Sequence, residues 1–268
     1  MTTSITSVFE IEWARWHHAR EDQLRDPVGI LSLTGLHWLT DRPERLPDVP
    51  GTWWVTDDKV FITAQPADRL EYDGRGIAGV QIVRPAEGAP GVSVLHEDRV
   101  LEVIRRTGRY AVRVHDPAAP DLLGFDGIPT YAPNPRWVVS GRFTPFDEQQ
   151  TVTTGAVVDG LEHYHIASGT IEFTVGEVTE RAVAFGTPDN LRLLFTDATS
   201  GVTTYPVARS LAVGAPEVDG TVSLDFNRAA NLPCAFTDFA TCPVAPAQNR
   251  LRVAIEAGEQ DPTQGRAA

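Results

Sequence analysis

Hydrophobic residues recur at helical spacing near the start of the chain. Phe9, Trp13 and Trp16 stand four and then three positions apart, which places them on one face of a helix. The Ser-Val-Phe-Glu sequence at 7–10 has the spacing of a capping box, in which each end residue bonds the other's backbone N–H. We therefore predict one helix over residues 8–25, with its apolar face packed on the rest of the protein.

After residue 50, hydrophobic and polar residues alternate in many short segments. In the segment 170–175, Ile171, Phe173 and Val175 fall on one side of an extended chain and polar residues fall on the other. Similar segments, mostly bounded by Gly, Pro, Asp or Asn, lie at 52–56, 59–64, 77–83, 99–105, 109–115, 136–142, 149–158 and 191–196. The pattern predicts an all-β fold, an antiparallel sandwich or barrel, with one N-terminal α-helix.

No segment has the clear composition of a linker, so we expect residues 1–268 to form a single compact domain. Residues 116–135 are rich in proline and fit either an ordered loop or a boundary between two β lobes. Residues 226–249 lack the alternation and are rich in Pro, Asn, Ala and Cys. Long irregular segments in compact domains are often functional, so we look for a site there.

The charge balance narrows the range of partners. Of 268 residues, 36 are acidic and 23 basic, which gives a formal charge of −13, and 42% are hydrophobic. Disorder is excluded by this hydrophobic content. Nucleic acid and anionic membranes are disfavoured because both need a positive surface. No apolar stretch approaches the roughly 20 residues of a membrane span, and the N-terminus does not resemble an export signal, so we expect a cytoplasmic protein.

The chain's two cysteines, Cys234 and Cys242, lie eight positions apart within the segment 226–249. Four interpretations stay open: inert buried thiols, a disulfide or redox pair, a nucleophile, and a metal site. A nucleophile would need a base or a helix N-terminus to lower its pKa. A structural zinc site usually has closer pairs and four ligands. A cytoplasmic chain would normally keep both thiols reduced, and a redox pair requires Cα atoms within about 7 Å.

Other motifs for cofactors and metals are weak. His163 and His165 would share one face of a strand, a spacing found in metal sites, but the further ligands of such a site are missing, so a surface pair is the better interpretation. The sequence has no Gly-x-Ser-x-Gly nucleophile motif, phosphate loop or dinucleotide fingerprint. We therefore predict no metal and no cofactor.

Polar side chains that could orient a ligand are dense in the last third of the chain. Asp225 and Asn227 fall on one face at the end of a short strand. The others are Asp197, Thr199, Thr204, Tyr205, Arg209, Arg228, Asn231 and Asn249. The alternative interpretation is that these residues satisfy the backbone of a proline-rich loop.

The sequence at 225–251, DFNRAANLPCAFTDFATCPVAPAQNRL, resembles the signature of uncharacterised bacterial proteins called the domain of unknown function 1684 family. Supporting pieces are GLHWL at 35–39, RYAVR at 109–113 followed by Asp116, FTDATSGVTTY at 195–205 and AGE at 257–259, so the resemblance spans about residues 10–259.

Two departures from the family pattern stand out. Ala230 occupies the place of the tyrosine in the usual Tyr-Asn-Pro-Pro-Cys, and ARSL at 208–211 replaces Gly-Arg-Phe-Leu. If that tyrosine touches a ligand, this member is altered or specialised. The resemblance implies no activity.

Our leading hypothesis is a pocket for a small anionic molecule beside residues 226–249, and a hydrolase if the chain is an enzyme. Asp225 is the predicted general base on water, with Asn227 or Tyr205 as oxyanion donor. The predicted ligand-binding residues are Arg109, Arg113, Arg209, Asp197, Thr199, Cys234 and Asn249, with the arginines holding a carboxylate or phosphate.

Two other hypotheses come from different classes of function. A non-catalytic binding or scaffold protein would use the same polar residues as a buried network that fixes the loop. A redox sensor would use Cys234 and Cys242. Changing Asp225 to Asn distinguishes the ligand-site hypothesis from the scaffold hypothesis. The change abolishes turnover or affinity if Asp225 belongs to a ligand site, and it destabilises the protein if Asp225 belongs to a structural network.

Overall fold

The alternating segments form antiparallel strands, as the sequence predicts, in a computed structural model that describes residues 7–263. The chain divides into two compact units. Residues Gln23–Asp126 form one, here called the N-terminal unit. Residues 7–22 together with residues 127–263 form the other, called the C-terminal unit. Arg109 and Arg113 belong to the N-terminal unit, and every other candidate residue belongs to the C-terminal unit.

The N-terminal unit contains ten strands within the described residues, in two antiparallel sheets. One sheet has the order β1-β10-β9-β8-β5-β6 and the other β2-β3-β4-β7. The strands are β1 Leu33–Trp38, β2 Glu44–Leu46, β3 Val49–Thr56, β4 Lys59–Ala64, β5 Leu70–Tyr72, β6 Arg75–Gly76, β7 Gly79–Val83, β8 Val92–His96, β9 Arg99–Arg106 and β10 Arg109–His115. Alternate residues such as Trp53, Ile62, Leu101 and Val112 are fully buried and form its core. The short helix α2, Pro120–Leu123, follows β10.

The C-terminal unit contains one antiparallel sheet of seven strands among the described residues, in the order β16-β11-β12-β13-β14-β15-β17. The strands are β11 Val138–Gly155, β12 Glu162–Val175, β13 Val178–Thr187, β14 Asn190–Phe195, β15 Arg209–Gly214, β16 Thr221–Asp225 and β17 Ala230–Asn231. Its core centres on Phe226, whose ring packs at 5.6 Å from that of Phe173 and at 5.8 Å from that of Phe195, between centroids.

The predicted N-terminal helix is present as α1, Val8–Leu24, which ends one residue earlier than expected. The capping box forms: the backbone N–H of Ser7 donates to the Glu10 carboxylate at 2.7 Å, and that of Glu10 donates to the Ser7 hydroxyl at 3.2 Å. Trp13 on its inner face donates its indole N–H to the carbonyl oxygen of Asn227 at 3.0 Å. No helix within residues 7–263 has the length and apolarity to cross a membrane.

The segment 226–249 is irregular apart from three short 3-10 turns and β17. The turns are Phe226–Arg228, Pro233–Ala235 and Ala247–Asn249. Between the last two, the chain runs antiparallel to the end of β11: Val157 N–H donates to Cys242 O at 2.9 Å, and Val244 N–H donates to Gly155 O at 3.0 Å. These bonds fix the position of the segment around Cys242 against the long β11–β12 hairpin.

Candidate functional site

A groove of about 460 Å³ lies in the C-terminal unit, where the turn after β14 meets the end of the segment 226–249. Its lining residues are Thr196, Asp197, Ser200, Pro206, Val207, Val244, Ala245 and Arg250. Val244 and Ala245 come directly after the stretch that is bonded to β11, so the sheet positions one wall. The other wall is positioned by the turn 197–204, which Thr204 closes by bonding its amide to Thr199 O at 3.1 Å.

Asp197 organises this turn from inside the protein. One oxygen of its buried carboxylate accepts from the backbone N–H of Thr199 at 3.1 Å and from the Thr199 hydroxyl at 2.7 Å. The other oxygen accepts from the backbone N–H of Ile255 at 2.8 Å and pairs with the Arg209 guanidinium at 2.9 Å. Two predicted ligand-binding residues, Asp197 and Thr199, therefore bond each other. Asp197 also bonds the backbone of Ile255.

Arg209, a third predicted ligand-binding residue, is Asp197's partner. Its side chain is 1% exposed and lies over the Phe195 ring. It donates to the carbonyl oxygens of Ala257 and Ile255, the second at 3.0 Å. Burial lowers the pKa of its guanidinium and the Asp197 carboxylate opposes that effect. The Arg209 guanidinium therefore binds the backbone of residues 255–257. The sequence instead predicts that it binds a ligand.

Arg250 and Ser200 supply polar groups to the groove itself. Arg250 is exposed, and within residues 7–263 its guanidinium makes no hydrogen bond or ion pair. Ser200 donates its hydroxyl to the Asp197 carboxylate at 3.2 Å. Sequence reasoning missed Arg250, which lies within the motif at 225–251. The signal that could have found it is its residue type, because the arginine guanidinium matches carboxylate and phosphate groups.

The two thiols, Cys234 and Cys242, lie together beside Tyr205. The backbone N–H of Cys234 donates to Sγ of Cys242 at 3.2 Å, and both cysteines are reduced and buried. Tyr205 donates its hydroxyl to the carbonyl oxygen of Cys234 at 2.6 Å. Burial raises the pKa of Tyr205, so its phenol stays a donor. Two further predicted residues, Tyr205 and Cys234, are thus in contact, and Val207 both packs on the thiols and lines the groove.

The predicted catalytic pair, Asp225 and Asn227, forms a cluster of its own. Asp225 accepts from the backbone N–H of Asn227 at 3.2 Å and from its amide group at 2.9 Å, and its other oxygen pairs with Arg228 at 3.1 Å. Asn227 also bonds the backbone of Asn134 through both of its amide atoms, at 2.8 and 3.1 Å. The contacts of Asp225 and of Tyr205 therefore lead to different residues, and the catalytic roles stay predictions.

Asn249 and Asn231 connect neighbouring segments. The Asn249 side chain bonds the backbone of Val183 at 2.7 and 2.9 Å and of Leu194 at 2.9 Å. The backbone N–H of Asn231 donates to the Glu259 carboxylate at 2.6 Å. A second ion pair, buried on its carboxylate side, lies here, because Glu259 also pairs with the half-buried Arg20 of α1 at 3.0 Å. Burial raises the pKa of Glu259 and Arg20 opposes the effect. Sequence reasoning missed this pair, whose members are 239 positions apart.

The remaining predicted arginines have partners in the N-terminal unit. The Arg109 guanidinium lies 4.2 Å from the centroid of the Trp38 ring. Arg113 pairs with Glu102 at 3.4 Å beside His115, in the lining of a cavity of about 230 Å³. Burial would raise the pKa of Glu102, but its hydrogen bond to His115 and the charge of Arg113 outweigh it and lower the pKa to about 2.

The histidine pair of the C-terminal unit contacts protein groups. The rings of His163 and His165 stack with centroids 6.0 Å apart. Nε2 of His163 lies 2.5 Å from the carbonyl oxygen of Thr241, and Nε2 of His165 lies 3.0 Å from the Thr154 hydroxyl. Burial lowers the pKa of His165. Among residues 7–263, no group of three or more His, Cys, Asp or Glu side chains has the arrangement of a metal site.

Comparisons with known proteins identify the family without naming an activity. A solved structure, the solution NMR structure of an uncharacterised protein from Haloarcula marismortui, is 26% identical, covers 53% of this chain and 80% of its own, and has a TM-score of 0.44. No curated protein matches the chain. The model of the family described as protein of unknown function DUF1684 matches residues 123–260, which is more than half of the chain. The chain therefore belongs to the DUF1684 family.

Proposed function

We propose that this protein binds a small anionic molecule in the groove beside the segment 226–249, with Arg250 as the cationic contact. The observation that carries the proposal is an exposed arginine without a protein partner, at the edge of a groove of about 460 Å³, in a chain of net charge −13. Ligand pockets occupy roughly 300–1,000 Å³ and combine apolar walls with a few polar groups. A guanidinium suits the paired oxygens of a carboxylate or phosphate.

The lining indicates the class of ligand. Pro206, Val207, Val244 and Ala245 offer apolar surface, and the polar lining residues are Thr196, Asp197, Ser200 and Arg250. A carboxylate or phosphate ester with a small apolar body fits this division better than an inorganic ion. The negative charge would bind Arg250, and the body would cover the aliphatic wall.

We assign no reaction to this site. A hydrolase needs a group that can activate water, and both oxygens of the predicted base, Asp225, already accept hydrogen bonds or pair with Arg228. The phenol of Tyr205 is likewise engaged with a backbone carbonyl. Binding without turnover is therefore the better supported half of the hypothesis.

The test uses benzoate and phenyl phosphate as probes, with benzyl alcohol as a neutral compound of similar shape. Titrations are followed by NMR shifts of amides around 196–207. We expect both anions to bind, and Arg250→Gln to weaken binding by roughly 10- to 150-fold, since a hydrogen bond to a charged group contributes about 1.5–3 kcal/mol. Arg192→Gln is the matched control, because Arg192 is also exposed but lies outside the groove lining. Equal binding by Arg250→Gln, or by benzyl alcohol, would refute the proposal.

One observation favours the scaffold interpretation of the Asp225 cluster. Asp225 and Asn227 bond each other and the backbone of Asn134, which is the behaviour of residues that fix a loop. Asp225→Ala should then lower stability by about 1–2 kcal/mol, as the loss of a capping side chain does. It should leave the affinity for phenyl phosphate unchanged. A melting curve and a titration of that variant test the two statements separately.

A further inference from the structure

Cys234 and Cys242 are held in mutual contact by the fold. Cys234 lies in the turn Pro233–Ala235, and its backbone N–H donates to Sγ of Cys242 at 3.2 Å. Cys242 is fixed from its other side, where its carbonyl oxygen accepts from Val157 of the chain following β11. The two cysteines also pack in one buried cluster with Ala240. Both residues are therefore positioned before any chemistry takes place.

The surroundings favour a reactive Cys234. The hydrogen bond from Cys242 lowers the pKa of the Cys234 thiol, and Tyr205 adds to this effect, whereas burial opposes it. A lower pKa increases the fraction of thiolate, which is the nucleophilic form. Val207, Leu232 and Ala240 surround the sulfur atoms. The cysteines are 8% and 6% exposed, so small reagents reach them more easily than bulky ones.

We propose that Cys234 and Cys242 form a dithiol site that a hydroperoxide oxidises to an intramolecular disulfide. The proposal is independent of anion binding in the groove. It rests on two thiols in contact, a phenol beside them, and backbone bonds that fix both cysteines.

The chemistry balances in two steps. The Cys234 thiolate attacks one oxygen of hydrogen peroxide, the O–O bond breaks, and Cys234 sulfenic acid and hydroxide form. The Cys242 sulfur then attacks the sulfur of the sulfenic acid, an S–S bond forms, and the S–O bond breaks. The thiol proton of Cys242 combines with the departing hydroxyl group as water. The two thiols lose two electrons, and the peroxide gains them.

The experiment treats the purified full chain with hydrogen peroxide and counts its thiols after denaturation. The chain has two cysteines, so the count has no background. We expect both thiols to be lost together, a mass decrease of two hydrogen atoms, a cross-linked peptide pair containing Cys234 and Cys242, and full reversal by dithiothreitol. Two surviving thiols under conditions that consume free cysteine would overturn the proposal, as would disulfide-linked dimers.

Two variants test the order of events. Cys242→Ala should accumulate sulfenic acid at Cys234, which dimedone traps, whereas Cys234→Ala should give little adduct at Cys242. Adding Tyr205→Phe to Cys242→Ala should move the pH midpoint of trapping upward, because it removes the hydroxyl that is held against the Cys234 carbonyl oxygen and that lowers the pKa of the Cys234 thiol. An unmoved midpoint would remove Tyr205 from the site, and trapping at Cys242 alone would overturn the assigned order. If a variant fails to fold, the thiol count of the wild-type protein still decides the proposal.

Discussion

The buried pair Asp197–Arg209 allows a direct test of whether these residues hold the fold or hold a ligand. Asp197→Asn removes the negative charge and preserves the shape of the side chain. Arg209 would remain 1% exposed, beside an uncharged amide and the carbonyl oxygens of Ile255 and Ala257. A structural role predicts a large loss of stability, and a role confined to ligand binding predicts a small one.

The structure sets the size of the expected effect. The Asp197 carboxylate accepts five hydrogen bonds, including those from Arg209 and Ile255. Asparagine keeps one acceptor oxygen, so the substitution loses the two bonds from Arg209 and Ile255; at about 1–3 kcal/mol for each buried donor left unsatisfied, this loss is about 2–6 kcal/mol. Removing one partner of a buried ion pair costs about 3–5 kcal/mol, because the other charge stays buried without compensation. Both ranges include a loss of about 3–5 kcal/mol for Asp197→Asn.

The assay is urea unfolding followed by NMR at the amides of Phe195 and Ile255, so that the C-terminal unit is read separately. Asp22→Asn is the control, because Asp22 belongs to the same unit and is 58% exposed in its pair with His18, and such pairs contribute about 0–1 kcal/mol. If Asp197→Asn shifts the midpoint no more than Asp22→Asn does, the structural interpretation is wrong. The double change Asp197→Leu with Arg209→Met should recover much of the loss, since it leaves no buried charge.

Three further predictions concern other parts of the chain. The pKa of Glu102 is lowered to about 2, so its carboxylate stabilises the folded state fully above about pH 4.5 and loses this contribution as the pH falls through 2. Unfolding midpoints of Glu102→Gln, measured between about pH 4.5 and 2, should therefore vary less than those of the wild type. Arg20→Met leaves the Glu259 carboxylate, 0% exposed, without its countercharge and should cost about 3–5 kcal/mol in urea unfolding; adding Glu259→Gln should restore part of it. Gly258 and Gly160 both have positive φ, +77° and +75°, but an added Cβ would lie 2.5 Å from a carbonyl oxygen only at Gly258. Gly160→Ala should thus cost about 1–2 kcal/mol and Gly258→Ala about 1–3 kcal/mol more, and equal melting curves would contradict this.

The fold class could be predicted because alternation survives wherever one face of a strand is buried. The segments 59–64 and 109–115 coincide with β4 and β10. The segments 136–142 and 149–158 both overlap one strand, β11, whose pairing with β12 is interrupted between Pro145 and Gln150. Proline cannot donate to a strand ladder, so the sequence looked like a strand end there.

The strand β13 shows why other elements were missed. Its residues Ala182, Val183, Ala184 and Phe185 are all buried, so the polar residues that would mark a period of two are absent. A continuous apolar run of this kind does not distinguish a doubly covered strand from another buried segment. Alternation is therefore a sufficient sign of a strand in this chain and not a necessary one.

The sequence shows the candidate residues as a dense polar set, but it could not show which partners they have. Arg209 meets Asp197 because β14 and β15 pair in a register that sets Phe195 opposite Arg209. It meets the carbonyl oxygens of Ile255 and Ala257 because the end of the chain folds back on this sheet. Residue type indicated hydrogen-bonding capacity, and only the tertiary fold decides whether that capacity is used internally.

Polar side chains that are bonded within the protein are not available to a ligand, and this indicates where a ligand can bind. Four buried polar side chains bond backbone atoms or each other: Asp197, Arg209, Asn249 and Glu259. Leaving such a group without a partner would lower stability by more than one hydrogen bond adds to it. A ligand that competed for them would first have to break those bonds. Within residues 7–263 the exposed guanidinium of Arg250 has no such bond to break, and for this reason we place the proposed anion site at the edge of this network.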